Sequence, residues 1–216
     1  MINKVYLLPF AALALVAAKP QPAPAPASVT PPAAIAADPA NKLHLQLSTG
    51  GEIVLQLRPD VAPNHVARIQ QLVGQGFYNG LKFHRVIPDF MAQTGDPKGT
   101  GEGGSPLPDL TAEFNSLPHM RGMLAMARKA DNVNSANSQF FIMLSPTFGL
   151  DKKYTVFGRV ISGMAAVDGI APGEPPAAPT TITRAWLEGA APAPVPAAEA
   201  APAEQPKPAE AAAPAQ

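Results

Sequence analysis

Proline and alanine gather at the two ends of this chain, and that segregation fixes where a fold can lie. Residues 19–40 hold 7 Pro and 8 Ala in 22 positions, and residues 190–216 hold 7 Pro and 13 Ala in 27. Such stretches bury too little apolar side chain to offset backbone ordering, so both are expected to be extended, as a linker and a tail. The tail carries Glu199, Glu204, Glu210 and Lys207, a net of −2 that gives no reason to expect anion binding. Residues 1–18 read MINKVYLLPFAALALVAA, with Lys4 ahead of a 14-residue apolar run that ends in small residues. This is the layout of a secretory signal peptide cut near Ala18, which predicts a periplasmic location. The run falls short of the ~20 residues that span a bilayer, so no stable membrane insertion is expected after cleavage.

The folded part is therefore expected at residues 41–189, which carry 11 of the 13 aromatic residues and all four histidines. A domain of about 150 residues buries roughly 68–70% of its unfolded surface, enough for one core. Lys plus Arg total 16 and Asp plus Glu total 16, so no global basic excess offers to hold nucleic acid. Cysteine is absent, which excludes disulfides, thiolate nucleophiles and cysteine-ligated metal. Gly99-Thr100-Gly101-Glu102-Gly103-Gly104 matches G-x-G-x-x-G, but Ser105-Pro106-Leu107-Pro108 follows and cannot open the long helix that a dinucleotide site needs. It reads as a glycine loop.

Leu43, Leu45 and Leu47 alternate with polar residues, Thr49-Gly50-Gly51 is a turn signal, and Ile53, Leu55 and Leu57 alternate again. This predicts a hairpin with one buried face. Pro63 opens a helical pattern of Val66, Ile69, Gln70 and Val73 that Gly74 and Gly76 end. Strand-like pieces follow at Lys82–Val86, Phe90–Thr94, Gly122–Arg128, Gln139–Leu144, Thr155–Ile161 and Thr181–Leu187, with a shorter helix at about Gly163–Gly169. Eight short strands and two helices suggest an antiparallel barrel or a sandwich, and periodicity alone does not choose between them.

Three blocks do choose. Phe83-His84-Arg85-Val86-Ile87-Pro88-Asp89-Phe90-Met91-Ala92-Gln93-Thr94-Gly95-Asp96 resembles the FHRxIPxFMxQxGD signature of the cyclophilins, the peptidyl-prolyl cis–trans isomerases. Met126-Ala127 through Ser138-Gln139-Phe140-Phe141-Ile142 resembles their SMA…SQFFI segment, and Leu150 to Gly158 resembles LDxKxxVFG. The blocks keep the family's order and nearly its spacing. The resemblance implies a mainly β fold, a closed eight-stranded antiparallel β-barrel capped by two helices, with a substrate groove outside the barrel. It assigns a catalytic role to Arg85. It places Phe90, Met91, Gln93, Ala127, Arg128, Gln139, Phe141, Leu150 and Tyr154 against the substrate, Arg128 through backbone hydrogen bonds. It implies proline-containing polypeptides as partners, with no cofactor, no metal and no nucleic acid. Nothing in the sequence suggests more than a monomer.

Elementary chemistry agrees with those residue types. Rotating an X–Pro bond breaks amide resonance against ~18–20 kcal/mol and needs no nucleophile or redox centre. The enzyme must only bind the twisted amide better than either planar form. Phe90, Met91, Phe141 and Leu150 offer an apolar seat for the ring. Arg85 offers a rigid, always charged fork of donors, which Gln93 can hold in place. Strand neighbours face opposite sides, so one of Phe140 and Phe141 should enter the core; the resemblance assigns Phe141 to the groove. His84 is expected to turn away from the groove, and His44, His65 and His119 have no ligand spacing. The alternative is a module of the same fold that binds proline-containing peptides with weak catalysis.

Three departures stand out. A Trp common in the family just before Leu150 is Gly149 here, which predicts weakened binding of the cyclic peptide cyclosporin. Tyr154 stands where His is frequent. The segment Arg128–Asn137 is about two residues longer than in eukaryotic members and resembles bacterial ones.

Overall fold

The computed structural model describes residues 27–190. The expected signal peptide, the first part of the linker and the tail from 191 onward lie outside the described residues. Eight strands follow in order: β1 (Lys42–Leu47), β2 (Glu52–Leu57), β3 (Arg85–Ile87), β4 (Met91–Thr94), β5 (Met123–Met126), β6 (Phe140–Met143), β7 (Val156–Ser162) and β8 (Ile182–Leu187). Three short helices join them: α1 (Ala33–Ala37), α2 (Pro63–Gly74) and α3 (Met164–Asp168). All pairings are antiparallel, in the order β3-β4-β6-β5-β7-β2-β1-β8.

The eight-stranded antiparallel sheet expected from the sequence is present, as a half-barrel whose closure is not made by a ladder between its end strands. β3 and β8 end the sheet and share no ladder. Only Lys82 bridges to Thr181, helped by the amide of Phe83 donating to Thr180 and that of Ile182 to Leu81. A second segment lies along the edge of β3, where Val86 and Gly173 exchange backbone hydrogen bonds at 2.8 and 2.9 Å.

The core follows from period-two alternation. Leu43, Leu45, Leu47, Ile53, Leu55 and Leu57 point inward with Val86, Ala92, Leu124, Phe140, Ile142 and Phe157. Tyr78 and Phe157 each meet Phe140 edge to face, at 5.7 and 5.9 Å between ring centroids. α2 begins at Pro63, as the sequence predicts, but Ala62 offers no side-chain cap. Glu113 supplies one from a distant loop: its carboxylate accepts the amides of Asn64 and His65, both at 3.1 Å. Its charge also suits the positive end of the helix.

The hairpin of β1 and β2 departs from a single buried face, and the linker from an extended chain. Alternation sets Gln56 and Arg58 on the face opposite Ile53, Leu55 and Leu57, yet both are buried. Residues 27–41 cover them. Gln56 donates to the carbonyls of Ile35 and Asn41, and Arg58 donates to that of Ser28 at 2.9 Å. Arg58 also forks onto both carboxylate oxygens of Asp60 at 2.8 Å. The folded unit thus begins ahead of residue 41. Buried polar side chains take the place of the apolar ones that a composition argument looks for.

Candidate active site

Register builds the site. Arg85 pairs with Gln93 across β3 and β4, Gln93 with Phe141 across β4 and β6, and Phe141 with Ala125 across β6 and β5. Directly opposed residues share a face, so these four form one row across the outside of the sheet. Their neighbours Val86, Ala92, Ile142 and Leu124 pair in the same way on the inner face and belong to the main core. The outer row rests on a second, smaller apolar cluster of Met91, Leu117, Met123, Ala125, Phe141, Met143 and Val156. β4, β5 and β6 are therefore sandwiched between two apolar layers, and the outer one floors a pocket.

That pocket has a volume of about 140 Å³ and is lined by Arg85, Phe90, Met91, Gln93, Ala127, Arg128, Phe141, Leu150 and Tyr154. These are the residues named from the sequence, apart from Gln139. Phe141 and Tyr154 meet edge to face at 5.7 Å. Phe140 takes the other side of β6 and enters the core.

Gln139 lies next door, in a polar cleft of about 620 Å³ that also takes in Gly101–Ser105, Asp109, Lys129, Ser135 and Asn137. Gln93, Ala127 and Arg128 line both spaces. Gln139 donates to the carbonyls of Gly101 and Gly103 at 2.8 and 2.7 Å. The glycine loop is thus a wall of this cleft. Asp96 fixes the loop, its carboxylate accepting the amides of Lys98, Thr100 and Gly101. Burial alone would raise the Asp96 pKa, but these backbone donors outweigh it and hold it below the ordinary carboxylate value.

Two expectations need amendment. Gln93 does not hold the guanidinium of Arg85; its amide donates to Gln139 Oε1 at 2.7 Å. Arg85 is instead anchored from Nε to Glu174 Oε2 at 2.7 Å. Glu174 carried no signal in the sequence, because a cross-chain bridge brings it there. Arg128 contributes more than backbone: its guanidinium lies 4.6 Å from the Tyr154 ring centroid and donates to the carbonyls of Lys153 and Lys129.

The histidines sort by burial. His84 is buried and lines neither space, its ring lying behind Gly101 of the glycine loop. His44, His65 and His119 each meet a carboxylate, respectively Glu52, Glu113 and Asp151. His119 lies under the pocket, between Asp151 and the rings of Phe141 and Tyr154. Burial pushes the pKa values of His65, His84 and His119 below the ordinary histidine value. Among the described residues, no three His, Asp or Glu side chains gather where they could hold a metal ion.

Fold and cleft define a mainly β protein with an apolar seat, a fixed guanidinium and a polar trough aligned on one sheet face. The family model described as "Cyclophilin type peptidyl-prolyl cis-trans isomerase/CLD" matches residues 43–186. A probable peptidyl-prolyl cis-trans isomerase of Brucella suis is 54% identical over 151 residues, covering 65% of this chain and 76% of its own. A mouse peptidyl-prolyl cis-trans isomerase-like 1 is 43% identical over 141 residues, covering 63% and 84%. Among solved structures, a cyclophilin of Hirschia baltica superposes with a TM-score of 0.63 at 30% identity, covering 69% of this chain and 74% of its own. A Cryptosporidium parvum cyclophilin type isomerase, crystallised in the presence of the dipeptide Ala-Pro, gives 0.63 at 26% identity, covering 69% and 99%. This chain belongs to the cyclophilin family and is a peptidyl-prolyl cis–trans isomerase of that type.

Proposed function

We propose that the 140 Å³ pocket seats the proline of an X–Pro segment and that Arg85 lowers the barrier to its rotation by binding the twisted amide. The carrying observation is that Arg85 stands on the rim of a pocket floored by Met91 and Phe141. An apolar floor favours the prolyl ring without fixing its amide plane. As the bond twists, conjugation is lost and the imide nitrogen becomes pyramidal and basic. A donor from Arg85, or one held on the carbonyl oxygen, then gains strength that it lacks in either planar isomer. Gln93, oriented by Gln139, presents a second polar group beside it. The residues ahead of proline run into the polar trough along Ala127 and Arg128. The Ala-Pro in which the Cryptosporidium relative was crystallised is the simplest ligand of this kind.

The clients are polypeptides on the export route, in the periplasm, and the protein acts as a monomer. The leader-like residues 1–18 carry the export part of that reading. N-terminal sequencing of exported protein tests it, with a cut near Ala18 expected and an intact Met1 contradicting it.

The activity is tested with a chromogenic X-Pro tetrapeptide in a protease-coupled assay. Wild type should remove the slow phase, which otherwise takes about 10–100 s, and Arg85→Ala should leave most of it. Equal rates for the two proteins would favour the other reading, a peptide-binding module with weak catalysis.

A further inference from the structure

We propose that Glu174 is a positioning residue for catalysis, holding Arg85 by its Nε and so aiming both Nη groups at the substrate; this rests on the role given to Arg85 above. The geometry starts in the backbone. Val86 and Gly173 form an isolated antiparallel bridge with reciprocal hydrogen bonds of 2.8 and 2.9 Å. In such a pair the next residues, Arg85 and Glu174, stand opposite each other on one face. Only glycine suits the bridge, because Gly173 sits at φ 141 and a Cβ there would meet Pro176 and the Pro175 carbonyl. Glu174 Oε2 then accepts from Arg85 Nε at 2.7 Å.

The choice of donor matters. A carboxylate that clasped Nη1 and Nη2 would occupy the face offered to substrate. Taking Nε from behind leaves both Nη groups without a partner among the described residues. Among the described residues Arg85 makes no other side-chain hydrogen bond, and Gln93 donates to Gln139. Arg85 and Glu174 are 41% and 49% exposed, so their pair contributes little to folding. Its consequence should appear in the rate, where misplacing a reacting group is expensive.

The test is a cycle of isomerisation kinetics on wild type, Glu174→Ala, Glu174→Gln, Arg85→Ala and the Arg85→Ala/Glu174→Ala double variant. Glu174→Ala should lower kcat about three- to tenfold with KM little changed, an effect of positioning rather than of binding. Glu174→Gln keeps an acceptor oxygen and should recover part of that loss. Thermal unfolding of both should stay close to wild type. In the Arg85→Ala background, removing Glu174 should change nothing further. An unchanged kcat for Glu174→Ala beside a slow Arg85→Ala overturns this inference alone. So does an equal loss on removing Glu174 in both backgrounds. A wild-type rate for Arg85→Ala overturns the parent reading, and this one with it.

Discussion

His119 lies beneath Phe141, their ring planes 21° apart and their centroids 6.4 Å apart, while its Nδ1 donates to Asp151 at 2.8 Å. The amide of His119 donates to the same carboxylate oxygen, also at 2.8 Å. Asp151 follows Leu150, a residue of the pocket wall, so one buried imidazole ties the pocket floor to its rim. Replacing it opens a cavity under the ring and leaves the Asp151 carboxylate with the backbone amide of residue 119 but without its side-chain donor. His119→Ala should lose about 1–3 kcal/mol of stability and raise KM for X-Pro peptides more than it lowers kcat. Denaturant unfolding and steady-state kinetics check the two halves.

The same burial sets a pH dependence. His65, His84 and His119 are held below the ordinary histidine pKa of 6.5, burial being the largest cause for each. A histidine depressed in the folded state binds its proton more readily when unfolded. Its contribution is complete above pH 6.5 and is lost as pH falls through the folded value. Glu113 and Asp96, held below their ordinary values, lose their contributions at still lower pH. Stability should be flat above about pH 7 and decline from about pH 6.5 downward. Chemical denaturation at a series of pH values tests this; a plateau that persists to pH 5 contradicts it.

The glycine loop is sterically intolerant at Gly103. A Cβ on Gly103 would overlap the Asp96 carboxylate that gathers the loop amides. Gly103→Ala should displace the loop and the carbonyl that holds Gln139, lowering kcat/KM while the core stays folded. Gly74→Ala, where a Cβ meets nothing within 4 Å, is the matched control and should be silent in activity.

Gly149 also has no atom within 4 Å of a built Cβ, so the rim can accept a large side chain. Wild type should resist cyclosporin at levels that inhibit Trp-bearing members of the family. Gly149→Trp should gain sensitivity without losing turnover. Inhibition titrations of the two proteins decide it.

Much of this site was legible in the sequence because its parts are local or periodic. Arg85, Gln93 and Phe141 sit in contiguous blocks, and strand alternation alone sends Phe140 and Phe141 to opposite faces. α2 was visible through Pro63 and its apolar spacing. Glu174 was not, since only the Val86–Gly173 bridge brings it to Arg85, 89 positions away. The cover over the hairpin was hidden for a related reason. Residues 27–41 look like linker by composition, and their attachment runs through backbone carbonyls that take donors from Gln56 and Arg58. Any sequence supplies carbonyls, so no residue pattern announces them. Strand count also does not reveal which segment lies along β3, so the Val86–Gly173 bridge left no trace in the sequence.

Removing the guanidinium that reads those carbonyls tests the hidden cover. Arg58 is buried and pairs with Asp60, whose pKa is lowered first of all by that hydrogen bond. Arg58→Ala should cost about 1.5–3 kcal/mol and speed proteolysis ahead of residue 41. Limited digestion followed by mass spectrometry reports the second effect.

If the pocket binds while Arg85 catalyses, NMR exchange spectroscopy on an Ala-Pro peptide separates the two. With wild type, cross-peaks between cis and trans resonances should appear at substoichiometric enzyme. With Arg85→Ala, peptide shifts should still report binding, while the exchange rate falls about 100-fold or more. Undiminished exchange in a variant that still binds the peptide would contradict the account.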